Sequence, residues 1–232
     1  MAKSLFSLRH SQFVIINLQF TLRIILAILL FLLTLFVFVY IADEIVLENE
    51  THFDQAIVGA ISNYHSGTLT SVMKFVTFFG SQFFLLPSYI ILIGYYLIKK
   101  RTRLAINVCA IGLTSTAVLF SLKYAFKRTR PLDPLIQHVA GFSFPSGHSF
   151  SSFTFYGLLA YIIWQSNISK AWKIFSSLLL FLLAATIAFS RVYLRVHFPS
   201  DVVAGFCLSM VWLILSFWII SKVEPRSVSK NS

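Results

Sequence analysis

IILAILLFLLTLFVFVYIA, residues 24–42, is a run of uncharged, almost wholly apolar side chains. As a helix it would be about 28 Å long, close to the ~30 Å hydrocarbon core of a bilayer. Five further runs approach that length: Phe83 to Ile98, which may be prolonged backward through Phe75 to Gly80, Leu104 to Leu122, Ser149 to Trp164, Ile174 to Phe189 and Val202 to Ile220. The expected fold is therefore all-α, a polytopic membrane helix bundle with about six transmembrane helices. Composition agrees, because 57% apolar and 12% charged side chains exceed what a water-soluble domain carries, about 45 to 50% apolar. The expectation is one membrane-embedded domain over residues 1–232, its first run a retained span and not a removed signal peptide.

The net charge of +11 would raise the prospect of nucleic acid in a soluble protein. Here the cations sit in short clusters between apolar runs, and no basic stripe is interleaved with stacking aromatics, so nucleic acid is excluded as a partner. With both termini on the cytoplasmic side, the inner segments carry Lys3, Arg9, Arg23, Lys99, Lys100, Arg101, Arg103, Lys170, Lys173, Lys222, Arg226 and Lys230. The Lys/Arg bias fixes that orientation. Six of the other seven cations, Lys123, Lys127, Arg128, Arg130, Arg191 and Arg195, then crowd into two short outer stretches. Such crowding is costly unless an anion sits among them. The outer segment of about residues 43–80 begins with Asp43, Glu44, Glu48, Glu50 and Asp54, read as a solvated acidic stretch. Phe53, Ile57, Ala60, Ile61 and Tyr64 follow at helical spacing, which predicts an amphipathic helix at the outer interface. Cys109 and Cys207 lie inside apolar runs without metal-ligand spacing and read as small buried hydrophobes.

Three motifs lie between residues 123 and 201. The first, Lys123 to Pro131, holds four cations, and Pro131 ends any continuing helix with Arg130 beside it. The second, Phe144-Pro145-Ser146-Gly147-His148-Ser149, describes a helix N-terminus whose free N–H groups can receive phosphate oxygens, with Gly147 permitting close approach. In the third, Ser190 to Asp201, His197 and Asp201 are four residues apart, and a turn at Pro199 would bring carboxylate to imidazole, the arrangement that orients a basic or nucleophilic histidine. The alternating spans put all three motifs at one level of the membrane. Between residues 104 and 221 the only acids are Asp133 and Asp201, too few to hold the paired ions of two-metal phosphate chemistry. No metal and no cofactor are expected, and arginine forks and a lysine would do the work of the ions.

These residues resemble the type 2 phosphatidic acid phosphatase (PAP2) superfamily, whose signature reads Lys-x6-Arg-Pro, Pro-Ser-Gly-His and Ser-Arg-x5-His-x3-Asp. Lys123, Arg130 and Pro131, Pro145 through His148, and Ser190, Arg191, His197 and Asp201 match every element. The layout is similar to that of small bacterial phosphatidylglycerophosphate/undecaprenyl-pyrophosphate phosphatases. The resemblance implies that His197 attacks phosphorus to give a phosphohistidine, that Asp201 holds its ring, and that His148 protonates the leaving oxygen. It further implies that Lys123, Arg130, Ser146, Gly147 and Arg191 bind the phosphate. A lipid phosphate is the implied substrate, at the non-cytoplasmic face of a bacterial plasma membrane. Lys127, Arg128 and Arg195 fall outside the signature and are expected either to touch a second phosphate or headgroup, or to be interface charge. Transfer of phosphate to another lipid would use the same residues. An anion channel would spread its charges through the bilayer depth, whereas here they collect at one end.

Overall fold

The computed structural model describes residues 21–22, 24–48, 51–136 and 140–223. Lys3, Arg9, Arg23, Arg226 and Lys230, used above to orient the chain, and Glu50 of the outer acidic stretch lie outside the described residues. Among the described residues eight helices follow one another: α1 (Ile24–Val46), whose last turns widen into a π-helix, α2 (His52–Ser62), α3 (Gly67–Phe78), α4 (Gln82–Ile98), α5 (Thr102–Phe126), α6 (Gly147–Gln165), α7 (Lys170–Tyr193) and α8 (Pro199–Val223). No strand occurs among the described residues.

Among the described residues five segments are long and apolar enough to cross a membrane: α1, α3 with α4 taken together, α5, α7 and α8. Their outer faces carry Phe36, Leu33, Ile91, Ile98, Phe83 and Leu113, each more than half exposed. Leaving such side chains in water would forgo about 1.5–3 kcal/mol each, so the solvent around them is lipid and the protein is a multi-pass membrane protein. The sixth expected span, α6, differs in kind. Its Ser149, Ser152 and Thr154 lower its hydropathy, and it packs against α7, α8, α5 and α4 instead of facing outward. Ser149, Phe150, Ser152, Phe153, Thr154, Phe155, Tyr156 and Leu158 are all buried.

The α6–α8 crossing is close enough to exclude any side chain at Gly205. A Cβ there would lie 2.9 Å from the Ser146 carbonyl oxygen and 2.9 Å from the Ser149 Cβ. That approach seats the start of α6 on the start of α8, and the Ser146 N–H donates to the Asp201 carbonyl at 3.0 Å. An apolar cluster of Phe38, Ile41, Leu119, Phe144, Phe150, Ala204 and Leu208 binds α1, α5, α6 and α8 beneath this contact.

The helices run past the apolar stretches that announce them. Lys123 sits on the last turn of α5, His148 on the first turn of α6, Arg191 on the last turn of α7 and Asp201 on the first turn of α8. Hydropathy falls at these polar residues, but backbone hydrogen bonding does not, so the motif side chains are mounted on rigid helix ends. The segment 67–98 breaks at Phe79–Ser81 into α3 and α4, where the sequence suggested a single prolonged span. α3 packs along α7.

The outer helix α2 forms as expected but presents a different face. Phe53, Ala60 and Tyr64 are exposed, Ile57 and Ile61 are half-buried, and the innermost residue is Asp54, 1% exposed. A fully buried carboxylate docks the helix, because it finds partners there worth more than the lost hydration.

Candidate active site

α5 ends at Lys127, whose left-handed backbone (φ 50°) turns the chain out of the helix. The Arg128 carbonyl then accepts from the Ser143 N–H at 2.8 Å, which closes the connection to α6 into a loop over the helix ends. Arg130 stitches that loop together: Nε donates to the Gly141 carbonyl at 2.9 Å, one terminal nitrogen to Ala140 at 3.1 Å and the other to Val196 at 2.8 Å. Lys123 Nζ donates to the Phe142 carbonyl at 2.7 Å. Among the described residues none of Lys123, Arg130 and Arg191 is within ion-pair distance of a carboxylate.

Ser146 caps α6, its hydroxyl accepting from the Ser149 N–H at 3.4 Å while its carbonyl takes the Phe150 N–H. The amides of Gly147 and His148 find no acceptor among the described residues. A Cβ on Gly147 would stand between Leu119 and the Lys123 side chain, 3.4 Å and 3.8 Å away, so its absence leaves that wall of the site open to a ligand.

His197 is 2% exposed and Asp201 is fully buried. The turn at Pro199 places Nδ1 of the ring 3.5 Å from Asp201 Oδ2, and that oxygen also accepts from the Ser143 hydroxyl and, at 2.8 Å, from the Phe198 N–H. The other ring nitrogen, Nε2, lies 3.2 Å from a terminal nitrogen of Arg130. A guanidinium has only donors. The contact is therefore satisfied when Nε2 keeps its lone pair and the ring proton is on Nδ1, toward Asp201. Burial pushes the imidazole down to about 3 from its ordinary 6.5, overcoming the hydrogen bond and charge of Asp201, which act the other way. The ring is neutral at physiological pH, with its free lone pair facing the cations.

Arg191 is 4% exposed; it donates to Thr77 Oγ1 at 2.8 Å, and its Nε is buried without a partner. His148 lies within electrostatic reach of Arg191, His197, Arg130 and Lys123. Its ring edge would be 3.3 Å from a Cβ on Gly80. The structure thus gathers all eight residues singled out in the sequence around the joined ends of α5, α6, α7 and α8.

Several contributors were not legible beforehand. Thr77 of α3 and Gly80, in the break between α3 and α4, lie against Arg191 and His148 respectively. Ser143 bridges His197 and Asp201, 3.3 Å from Nδ1. Arg128 is neither a headgroup contact nor interface charge: it pairs with Asp201 Oδ1 and Asp54 Oδ2, both at 2.7 Å, and stacks 4.3 Å over the Phe198 ring. Asp54 likewise leaves the solvated acidic stretch to which its neighbours assigned it. Arg195 donates to Ser62 at 3.0 Å, and Lys127 stays exposed.

Fold and site together define a polytopic helical membrane protein with two histidines set among buried and half-buried cations at one end of its bundle. The sequence profile of the PAP2 superfamily matches residues 103–225, and the chain belongs to that superfamily. It is 31% identical to phosphatidylglycerophosphatase B of Bacillus subtilis (strain 168) over 164 residues, 70% of this chain and 80% of the relative. It is 30% identical to an undecaprenyl-diphosphatase of Sulfolobus acidocaldarius over 189 residues, 76% of this chain and 85% of that one. The crystal structure of the transmembrane PAP2-type phosphatidylglycerolphosphate phosphatase from Bacillus subtilis superimposes with a TM-score of 0.73 at 29% identity, covering 86% of this chain and 98% of the other.

Proposed function

We propose that this protein is a metal-independent membrane lipid phosphatase that hydrolyses a phosphomonoester or pyrophosphate of a lipid through a phosphohistidine. The candidate substrates are undecaprenyl pyrophosphate, phosphatidylglycerophosphate and phosphatidic acid. The observation that carries the reading is the placement of the buried His197 ring, Nδ1 3.5 Å from Asp201 Oδ2 and Nε2 3.2 Å from Arg130, which favours a proton on Nδ1 and an unprotonated Nε2 among the cations. Nε2 attacks phosphorus as the bond from phosphorus to the leaving oxygen breaks, and His148 gives that oxygen its proton. Asp201 stabilises the positive charge that develops on the ring. Water then attacks the phosphohistidine with His148 as base, and phosphate leaves.

Lys123, Arg130, Arg191, the Ser146 hydroxyl and the Gly147 amide receive the nonbridging oxygens, most tightly as charge builds in the transition state. The unpartnered Arg191 Nε and Gly147 N–H support this assignment. The Lys/Arg distribution supports a site on the non-cytoplasmic face with both termini inside, and the shared packing of α1, α5, α6 and α8 supports one unit.

The test is phosphate release by the purified, detergent-solubilised protein with EDTA present, from each of the three lipids, for the native chain and His197→Ala. Release that survives chelation and vanishes in the variant supports the mechanism and ranks the substrates. Release only from samples with added metal would overturn it. Loss of lipid phosphate without free phosphate, dependent on a second lipid, would replace hydrolysis by phosphotransfer.

A further inference from the structure

Asp54 of α2 is 147 positions from Asp201 in sequence, yet one guanidinium joins them. One terminal nitrogen of Arg128 donates to Asp201 Oδ1 and to the Ser200 hydroxyl, and the other donates to Asp54 Oδ2. Asp54 also accepts from the Ser200 N–H at 2.8 Å and from the Ser200 hydroxyl at 2.7 Å. It therefore caps α8 one residue before Asp201.

The chemistry asks for something particular here. When Nε2 bonds to phosphorus, positive charge develops on a buried ring, and Asp201 can stabilise it only to the extent that its own charge is not already neutralised. Arg128, 2.7 Å from Asp201 Oδ1, would on its own neutralise it. A second carboxylate on the same guanidinium offsets that. Asp54, Arg128 and Asp201 together carry one net negative charge, and Arg128 meanwhile fixes the carboxylate so that Oδ2 faces His197.

We propose that Asp54 is a positioning residue for the His197–Asp201 pair, acting through Arg128 to keep Asp201 oriented and net negative. The proposal rests on His197 being the attacking group. It makes the outer helix α2 part of the catalytic apparatus.

The test is phosphate release from short-chain phosphatidic acid by the full-length protein in detergent. Asp54→Asn is expected to lower kcat on the order of tenfold or more, with KM within about twofold. Arg128→Met added to Asp54→Asn removes the cation that Asp54 balances, so the double variant recovers several-fold over the single one, a coupling read from the double-mutant cycle. A double variant as slow as Asp54→Asn or slower, although folded by thermal unfolding and gel filtration, overturns the proposal. Should Asp54→Asn fail to fold, the double variant and Asp54→Glu, which keep the net charge, must retain kcat within about tenfold of the native chain. Their collapse while folded is equally fatal. His197→Ala, run alongside, reports separately on the attacking group: activity surviving there overturns the proposed mechanism itself.

Discussion

Replacing His197 by Gln removes a titrating ring from a fully buried position while keeping a polar side chain of similar size, and this turns the environment of the ring into a measurable stability. The folded ring titrates at about 3 and the unfolded one near 6.5. Between those values the unfolded chain binds a proton that the folded chain refuses, so the native protein is fully favoured above pH 6.5 and loses that advantage as pH falls toward 3. At 1.36 kcal/mol per unit, the loss reaches about 3 kcal/mol by pH 4 and about 5 kcal/mol below pH 3. The carboxylates titrate in both proteins and largely cancel in the comparison. Reversible unfolding in mixed detergent micelles at pH 7.5 and pH 4 is the assay, written as the difference in pH-dependence between native chain and His197→Gln. The native chain should lose about 3 kcal/mol more than the variant. Identical dependence would mean that the ring is not held neutral and would remove the basis for treating Nε2 as a free nucleophile.

Three other changes probe separate walls of the site. Gly80→Ala drives a methyl group into Ile187 and to 2.7 Å from the Ser152 hydroxyl, next to His148; the cost should be about 1–3 kcal/mol, seen as a lower Tm together with a fall in kcat. Arg191→Lys keeps the charge but replaces the planar fork by a single nitrogen, which cannot reproduce the bidentate geometry toward a phosphate while reaching Thr77, so kcat should fall by roughly ten- to a hundredfold with Tm little changed; unchanged kcat would show that a point charge is enough. His148→Asn should slow phosphate release far more from a lipid alkyl phosphate than from p-nitrophenyl phosphate, whose leaving group needs no proton. Equal losses on both would deny it the role of general acid.

The spans and the gathering of the eight candidate residues at one end of the bundle were legible because each leaves a local trace. An apolar run announces a helix, and a proline or a cluster of cations between runs marks a helix end. What escaped depends on pairing at a distance. Asp54 sits among Asp43, Glu44 and Glu48, so a reading by composition assigns it to solvent; only the fold shows that Arg128, 74 positions away, claims it. Arg128 was misread for the complementary reason, since its neighbours Lys127 and Arg130 are an exposed charge and a site residue. The helix boundaries fell short at each motif because hydropathy measures side chains, whereas the helix is continued by backbone bonds through Lys123, His148, Arg191 and Asp201. Nor could apolar periodicity find the docking face of α2, because a carboxylate makes that contact.

The charge balance of the pocket explains why a bilayer protein tolerates so many cations at one level. Among the described residues Lys123, Arg128, Arg130 and Arg191 face only Asp54 and Asp201, so that with both imidazoles uncharged two positive charges remain uncompensated, and a proton on His148 adds a third. Partly buried like charges at this density repel one another strongly. Neutralising them with further carboxylates would stabilise the fold but close the pocket to anions. On the proposed reading the doubly charged head of a phosphate monoester supplies the missing charge, and it gains most where the cations have no carboxylate partner, only carbonyls, a hydroxyl and the His197 ring, as Lys123, Arg130 and Arg191 do. Of the four, Arg128 alone is held by carboxylates. On the proposed mechanism that difference separates three cations that would receive substrate from one that would hold the Asp201 carboxylate in place.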